Sequence, residues 1–149
     1  MRAVIQRVSR AKIVVDGKTV SGIGPGLLAL IGIGREDGEK DRAYLADKIP
    51  NLRIFEDGEG KMNRSVRDVG GEILLVSQFT LYGNAQHGRR PSFIEAAPPE
   101  EARPSYERLI ALFEERGIPV KSGIFQAHME IELVNDGPVT LLLDSKKGF

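Results

Sequence analysis

The segment Ser77-Gln78-Phe79-Thr80 is the part of the sequence best suited to chemistry. It directly follows Ile73–Val76, an apolar run that is typical of a buried strand. Polar groups at the end of a buried strand are costly unless they are paired, so two hydroxyls and an amide there indicate a pocket. The alternative is that the hydroxyls bond to neighbouring backbone while Phe79 packs in the core. The residues alone leave both interpretations open.

A second segment, Asn135–Thr140, contains Asp-Gly-Pro between two apolar runs. That tripeptide is ordinary turn chemistry. The Gly137-Pro138 bond can also be cis at a cost of only about 0.5–1 kcal/mol, which would turn both flanking carbonyls the same way. Because glycine has no Cβ, another molecule could approach these carbonyls closely. The segment therefore predicts either a plain turn or a rigid pair of hydrogen-bond acceptors.

Several other chemistries lack their residues. The chain has no cysteine, and its two histidines, His87 and His128, lie in different segments without ligand spacing to each other. We therefore expect no metal and no cofactor. No Gly-x-Ser-x-Gly nucleophile elbow occurs. The glycines between Gly22 and Gly34 form neither a dinucleotide fingerprint nor a P-loop, so we interpret them as turn residues.

The apolar pattern predicts mostly strands around these segments. The predicted strands are Met1–Val8, Ala11–Val15, Lys18–Ile23, Leu27–Gly34, Leu52–Phe55, Glu72–Ser77, Val120–Ile124, Met129–Asn135 and Val139–Asp144. Asp16-Gly17 predicts a hairpin turn, and Asp136-Gly137-Pro138 is predicted to join the last two strands.

Two helices are predicted. The first covers Gly38–Ile49, with Asp37 as its cap and Pro50 as its stop. The second covers Glu100–Arg116, where Pro104 predicts a kink or a later start. The long polar stretch Tyr82–Pro99 reads as a loop, and loops of that length in compact domains tend to be functional.

These elements predict a single domain over residues 1–149, of mixed α/β class and rich in strands. We expect two β-sheets packed together with helices covering one side, which makes three layers. Lys and Arg balance Asp and Glu at 21 each, so any RNA affinity should come from a local patch. The absence of cysteine, of a signal peptide and of a membrane-length apolar run predicts a cytoplasmic protein.

Five ordered segments resemble signatures of the D-aminoacyl-tRNA deacylase family. They are Met1–Val8, Leu52–Asp57 with Gly60–Asn63, Ser77–Gly83, Gly88–Phe93 and Asn135–Thr140. The resemblance implies an enzyme that hydrolyses the ester bond of D-aminoacyl-tRNAs and releases the free D-amino acid and tRNA. It also implies a homodimer with its active sites at the subunit interface.

The resemblance assigns roles to both segments. Ser77, Gln78, Phe79 and Thr80 would line the pocket for the 3′-terminal aminoacyl-adenosine. Gly137-Pro138, cis in this family, would reach into the other subunit's pocket and bind the substrate's α-ammonium. A D side chain would then point to solvent and an L side chain would clash, which is discrimination by repulsion. Glycine has no side chain to reject, so glycine mischarged on tRNA(Ala) should also be hydrolysed.

The chemical step needs a water and a stabilised oxyanion. Backbone N–H groups around Gln78 to Thr80 are candidates for the oxyanion hole. Thr80 is a nucleophile by type, but no Lys, His or terminal amine is locally placed to activate it. We therefore favour a positioned water assisted by the tRNA's terminal 2′-hydroxyl, with Thr80 as a positioning residue.

Other residues have weaker assignments. Phe125 and Met129 are expected at the pocket rim, although core packing is an alternative. Candidate tRNA contacts are Arg7, Arg89, Arg90, Lys146 and Lys147, of which Arg89-Arg90 is the favoured patch, with scattered surface cations as the alternative. Two residues, Gln126 and His128, depart from the family pattern near the rim.

Two rival functions remain at this stage. One is a related editing deacylase for L-alanine mischarged on tRNA, which would use a similar pocket. The other is a non-catalytic dimer that binds RNA ends. In each case we expect tRNA or RNA as the partner, and neither DNA nor a membrane.

Overall fold

Eight strands, two α-helices and one short 3-10 helix follow one another in the computed structural model, which describes all 149 residues. The strands are β1 Arg2–Val15, β2 Lys18–Ile23, β3 Gly26–Gly32, β4 Phe55–Glu56, β5 Met62–Arg64, β6 Glu72–Ser77, β7 Val120–Ser122 and β8 Glu130–Asp144. The helices are α1 Glu39–Asn51, the 3-10 helix Phe79–Tyr82 and α2 Pro99–Glu115. The predicted mixed, strand-rich domain is confirmed. Neither α-helix is long and apolar enough to cross a membrane.

Six strands form one sheet in the order β2-β1-β3-β6-β7, with β8 paired to β1, while β4 and β5 form a separate ribbon. The prediction of two separate packed sheets needs correction, because these six strands are hydrogen-bonded into one sheet. Strand β1 belongs to both halves of it. The first half of this strand pairs with β3, from Arg2 to Val8, and its second half pairs with β2, from Ala11 to Val15. The long strand β1 therefore connects the half of the sheet that contains β3 with the half that contains β2.

Two hydrophobic clusters fill the two faces of this folded sheet. The larger contains alternate residues at the start of β1, such as Ala3 and Ile5, with β3, β6 and both α-helices. The smaller contains Ala11 and Ile13 from the end of β1 with residues of β2, β3 and β6. Both α-helices thus bury their apolar faces in the same cluster.

The end of the chain differs from its prediction. The segment Asp136-Gly137-Pro138 does not turn the chain between two strands but lies within β8, a single strand of 15 residues. Val8 faces Asn135 and Gln6 faces Thr140, so Arg7 alone lies opposite the four residues between them. The segment is therefore a bulge, because β8 continues its ladder with β1 on both sides of it. The two strands predicted within β1 are likewise one.

The helix boundaries also need corrections. Asp37 does not cap α1, because the Gly38 N–H donates to Asp41 Oδ2 at 2.8 Å instead. Helix α1 includes Pro50 in its last turn and ends one residue later. Helix α2 begins at Pro99 and runs through Pro104, so it starts earlier than predicted. Proline suits the first helical position, where no N–H donor is needed.

Short strands differ as well. The predicted strand Leu52–Phe55 is not formed, and only Phe55 and Glu56 pair, with β5. Strand β7 ends at Ser122, two residues before its predicted end at Ile124. The loop expected over Tyr82–Pro99 begins after the 3-10 helix and ends where α2 begins.

Candidate active site

Strands β3 and β6 are parallel, so their carboxyl ends meet at one edge of the sheet. There the Gln78 N–H donates to the carbonyl of Ile31 at 2.7 Å. The chain then turns away in the 3-10 helix. Ligands bind characteristically at the carboxyl ends of parallel strands. The sequence therefore places its polar tetrapeptide at the edge where a site is expected.

A cleft of about 610 Å³, here called the β6 cleft, opens at this edge. Its walls are Ile33, Arg35, Val76, Ser77, Gln78, Phe79, Phe93, Ala96, Ala97, Pro98, Pro99, Ala102, Phe125, Gln126, Ala127, His128, Met129 and Ile131. Most of these residues are apolar, and the polar ones are Arg35, Ser77, Gln78, Gln126 and His128. A small-molecule site commonly has this composition and size.

Three of the four predicted pocket residues, Ser77, Gln78 and Phe79, line the β6 cleft. Thr80 is exposed and does not line it, but its hydroxyl oxygen accepts a hydrogen bond from the Gln78 side-chain amide. The N–H groups of Phe79 and Thr80 begin the 3-10 helix and have no acceptor within it. Two backbone N–H groups without an acceptor therefore follow directly after Gln78, which lines the cleft.

Aromatic rings flank the opening. Phe79 is 55% exposed, and its ring meets that of Phe93 edge to face with 5.1 Å between centroids. Phe125 and Met129, expected at the rim, both line the cleft. The opening can therefore accept a flat, partly apolar group such as a nucleobase.

Only two ionisable side chains line the β6 cleft, Arg35 and His128, and neither is a carboxylate. His128 is exposed on the wall formed by the segment before β8. Its neighbour Gln126 has a positive φ of 65° and accepts a hydrogen bond from Arg103 at 3.3 Å. The two departures from the family pattern thus lie on the cleft wall. Any acid–base chemistry in this cleft would therefore depend on His128, on water or on a bound ligand.

Asp37 connects the segments that lie beside the cleft through a buried side chain. Its side chain is almost fully buried, and Oδ1 lies 2.6 Å from the N-terminal ammonium of Met1. Its other oxygen accepts from the Gly34 N–H at 2.7 Å and from the Tyr82 hydroxyl at 3.1 Å. Burial, followed by the charge of Asp37, raises the pKa of Tyr82, so this hydroxyl remains a donor. The end of β3 and the 3-10 helix are thereby held together.

Asp41 extends this network towards the C-terminus. Burial alone would raise its pKa, but hydrogen bonds from Gly38, Ser145 and Lys146 outweigh it and lower the pKa from 3.8 to about 2. The Ser145 hydroxyl donates at 2.6 Å and the Lys146 ammonium at 3.1 Å. The carboxylate form is therefore the one that the folded chain stabilises.

Asp41→Asn should lower the free energy of unfolding by about 1–2 kcal/mol at pH 7. A depressed pKa in the folded state contributes stability above the unfolded value of 3.8, and this contribution is lost as pH falls through about 2. Urea unfolding should therefore show the two proteins converging between pH 4 and pH 2. Exposed Asp47 on the same helix offers the control Asp47→Asn. A difference that stays constant across this pH range would contradict the assignment.

The Gly137-Pro138 bond is cis, and Gly137 has a φ of +133°. Arg7 lies beneath this bulge and is 7% exposed. It donates from Nε to the Asp136 carbonyl at 3.0 Å and from Nη1 to the Ile54 carbonyl at 2.7 Å. Arg7, expected as a tRNA contact, is therefore not a surface cation, because its guanidinium supports the bulge.

Within one chain the bulge and the β6 cleft are far apart. The bulge lies opposite Arg7, whereas Gln78 is bonded to Ile31, which pairs with Ala3. Four residues along β1 correspond to roughly 13 Å. Ile131 near the start of β8 lines the cleft, but the bulge begins at Asp136, further along that strand. Neither Gly137 nor Pro138 lines the cleft.

Other predicted residues have clear positions. Arg89 and Arg90 are exposed in the loop after the 3-10 helix and do not line the β6 cleft. Nowhere do three or more His, Asp or Glu side chains gather as they would around a metal ion.

The sequence interpretation missed Arg35 and Phe93, which both line the cleft. A signal for Arg35 was present, because it directly follows the apolar run of β3, at the same sheet edge as Ser77. Phe93 lies in the long loop, and its partner Phe79 is 14 residues earlier, so no local pattern indicates their contact.

The fold and the cleft define a mixed α/β protein with a ligand-sized site at the carboxyl ends of two parallel strands. Residues 4–144 match the model of the family described as D-Tyr-tRNA(Tyr) deacylase. The chain belongs to this family.

Similar proteins cover the whole chain. A D-aminoacyl-tRNA deacylase of Carboxydothermus hydrogenoformans is 62% identical over 97% of this chain and 99% of its own length. One of Thermotoga petrophila is 58% identical over the full length of both chains. A solved structure titled c-Myc DNA Unwinding Element Binding Protein superposes with a TM-score of 0.91 at 42% identity, covering 97% and 98% of the two chains. A probable eukaryotic D-amino acid tRNA deacylase has a TM-score of 0.75 at 20% identity, covers 95% of this chain and 97% of its own, and shares the fold.

Proposed function

We propose that this chain is a cytoplasmic D-aminoacyl-tRNA deacylase that hydrolyses the ester between a D-amino acid and the 3′-terminal ribose of tRNA. Membership of the family carries the proposal, because the matching model spans residues 4–144. The β6 cleft supports it, since an apolar wall, aromatic rings and free N–H donors suit an aminoacyl-adenosine. The reaction consumes one water and releases the amino acid and a tRNA with a free terminal hydroxyl.

The cleft can stabilise the charge that develops in this reaction. Water attacks the ester carbonyl carbon, the carbonyl oxygen becomes an oxyanion, and the ribose oxygen leaves after taking a proton. The N–H groups of Phe79 and Thr80 are the donors that we assign to the oxyanion. One well-aimed donor of this kind contributes about 3–4 kcal/mol to transition-state stabilisation.

Thr80 is assigned a positioning role. Its hydroxyl oxygen accepts from Gln78, and the hydrogen-bond pattern places no Lys, His or carboxylate on it as a base. We therefore assign proton transfer to a water assisted by the 2′-hydroxyl of the substrate's terminal ribose. Mass spectra of the protein from stopped reactions should show no acyl-Thr80 ester. A trapped ester would reverse this assignment.

We infer that this subunit, with its three-layer arrangement of helices and folded sheet, works as a homodimer. Strand β8 pairs only with β1, which leaves one edge of a 15-residue strand unpaired. Such long free edges are usually covered in soluble proteins. Leu142 and Val134 on this strand are 60% and 38% exposed. A second copy that covers β8 would bring the bulge of one subunit to the cleft of the other.

In this dimer, Gly137 and Pro138 would supply the chiral selection. Their carbonyls would accept from the substrate's α-ammonium, and the position of the ammonium then decides where the side chain points. The L side chain would meet the wall, whereas the D side chain would face solvent. Because only the amino acid backbone is read, glycine on tRNA(Ala) would also be a substrate.

The decisive experiment compares D-Tyr-tRNA and L-Tyr-tRNA as substrates of the full-length protein. We expect rapid loss of the D ester, while the L ester decays at the rate found in buffer without protein. Loss of both esters would favour an editing deacylase for L-alanyl-tRNA. Loss of neither, together with retained tRNA binding, would favour a dimer that only binds RNA ends. Either result would overturn the proposal.

A further inference from the structure

We propose that Arg35 and Arg42 bind the backbone phosphates of the nucleotides that precede the terminal adenosine. This inference rests on the proposed function, because it extends the path of the tRNA beyond the β6 cleft. It gives the RNA contact to arginines that follow β3 rather than to Arg89 and Arg90 of the long loop. It thereby specifies how a protein of zero formal net charge holds a polyanion.

Arg35 is the single arginine or lysine among the residues that line the β6 cleft. Its backbone N–H donates to the Glu95 carbonyl at 3.1 Å, and its side-chain Nε donates to the Ile94 carbonyl at 2.6 Å. The two terminal nitrogens have no acceptor in the chain, and the side chain forms no ion pair. The guanidinium is thus fixed at one nitrogen and free at the two that form a fork.

A second cleft of about 350 Å³, here called the arginine cleft, shares part of its wall with the β6 cleft. The residues common to both are Ile33, Arg35 and Ala97. The two clefts are therefore neighbours, and exposed Arg35 lines both of them.

Arg42 is the next cation along this path. It extends from α1 towards α2, where Nη1 donates to the buried Ser105 hydroxyl at 3.0 Å. Its Nε is buried and has no hydrogen-bond partner. This buried nitrogen is closed to an incoming phosphate, but the other terminal nitrogen, Nη2, has no acceptor in the chain and is available to a phosphate oxygen. Planar guanidinium groups bind phosphate through two parallel hydrogen bonds, which a single ammonium does not do.

The charges favour a path of the RNA through the arginine cleft over a path through the other neighbouring cleft. The arginine cleft has Arg35, Arg42 and Arg108 against two carboxylates, Asp37 and Glu101. Asp37 is already paired with the Met1 ammonium and Arg108 with Glu115, so Arg35 and Arg42 face one unpaired carboxylate, Glu101.

The other neighbouring cleft, of about 460 Å³, is here called the mixed cleft. Its lining includes three cations, Arg2, Arg35 and Lys146, and four carboxylates, Glu36, Asp37, Glu95 and Asp144. Asp37 is paired with Met1, Asp144 with Arg2 and Lys146 with Asp41, so Arg35 faces two unpaired carboxylates, Glu36 and Glu95. Carboxylates repel phosphate because both groups are negatively charged. The RNA backbone should therefore follow the arginine cleft.

The test compares two substrates, D-Tyr-tRNA and 3′-O-D-tyrosyl-adenosine, which has the same ester but no phosphate. Arg35→Gln should lower kcat/KM for D-Tyr-tRNA by roughly 10- to 100-fold, the range expected for losing a charge-assisted hydrogen bond. The loss should appear mainly in KM, because the contact is remote from the reacting bond. Hydrolysis of the tyrosyl-adenosine, which has no phosphate, should fall by a much smaller factor, so that the ratio of kcat/KM for the two substrates drops by roughly tenfold or more.

Salt dependence gives a second readout. For D-Tyr-tRNA, the slope of log kcat/KM against log salt should become shallower by about 0.7 for each lost phosphate contact. Arg42→Gln should act in the same direction, and thermal unfolding checks its fold because Ser105 loses a partner. Two controls should keep the wild-type salt slope: Arg116→Gln at the far end of α2, and Lys146→Gln in the mixed cleft. Thermal unfolding also checks the fold of Lys146→Gln, because Asp41 loses a partner.

The outcomes separate the two proposals. If wild type hydrolyses both substrates and Arg35→Gln affects neither, or affects both equally, the phosphate contact is wrong and the proposed function stands. An effect of Lys146→Gln in place of Arg42→Gln would also overturn the path. If wild type hydrolyses neither substrate, the proposed function is wrong and this inference is overturned with it.

Discussion

Replacing Gly137 with alanine should lower hydrolysis of D-Tyr-tRNA by roughly 100- to 1000-fold while the subunit stays folded. The φ of +133° at Gly137 belongs to a region that residues with a Cβ rarely adopt, at a cost of about 1–3 kcal/mol. An added Cβ would also lie 2.8 Å from the Val139 side chain and 3.1 Å from Arg7 Nη2. The bulge must therefore shift, and the carbonyls proposed to hold the substrate shift with it. A displacement of about 1 Å in an active site can cost on the order of a hundredfold in rate.

A matched glycine separates this effect from a general loss of stability. Gly24 also lies between ladder-forming segments, but no atom would lie within 4 Å of its Cβ and its φ is not in the left-handed region. Gly24→Ala should therefore keep full activity. The experiment measures kcat/KM and urea unfolding for both variants. If Gly137→Ala stayed active, or lost activity only in proportion to its unfolded fraction, the role of the bulge in substrate binding would be refuted.

The location of the β6 cleft could be predicted from local sequence, because both of its signals are contiguous. A buried run at Ile73–Val76 sets the strand, and Ser77-Gln78 follows it immediately. The apolar run of β3 reads as a buried strand in the same way. Two strands buried on both faces favour parallel pairing, and parallel strands place their carboxyl ends together.

The continuity of β8 could not be predicted, because it is decided by a distant strand. Asp136-Gly137-Pro138 has the composition of a turn, and a turn would have reversed the chain. Instead β1 offers acceptors and donors on both sides of the bulge, opposite Asn135 and Thr140. Those partners lie near the start of the chain, so no window around Gly137 contains them. The same reason explains why β1 looked like two strands.

The positions of two arginines, one buried and one exposed, were hidden for a related reason. Arg7 reads as an ordinary charged residue in a strand, yet its acceptors, Ile54 and Asp136, are 47 and 129 residues away. Its role as a support for the bulge becomes visible only when all three meet. Arg35 was closer to being predictable, because the local sequence shows that it follows a buried strand. Its position in the walls of two clefts depends on distant residues and could not be predicted.

If each active site is formed by both subunits, two inactive variants should restore activity when they are mixed. Ser77→Trp should fill the β6 cleft, and Gly137→Ala should misplace the bulge, so each homodimer alone should be nearly inactive. In a mixed dimer, one site combines the intact cleft of one subunit with the intact bulge of the other. If subunits exchange at random, about half of the dimers are mixed and each has one good site out of two, so activity should return to about one-quarter of wild type.

The double variant Ser77→Trp/Gly137→Ala, mixed with wild type, is the opposite control. When sites are shared, both sites of that mixed dimer contain one damaged part, so only the wild-type homodimers remain active. When each site lies within one subunit, every wild-type subunit keeps its activity in mixed dimers, and the two single variants never restore any. Purifying mixed dimers through two different affinity tags therefore gives opposite results for the two arrangements. Because the bulge and the cleft lie on separate parts of one chain, we expect the result for shared sites.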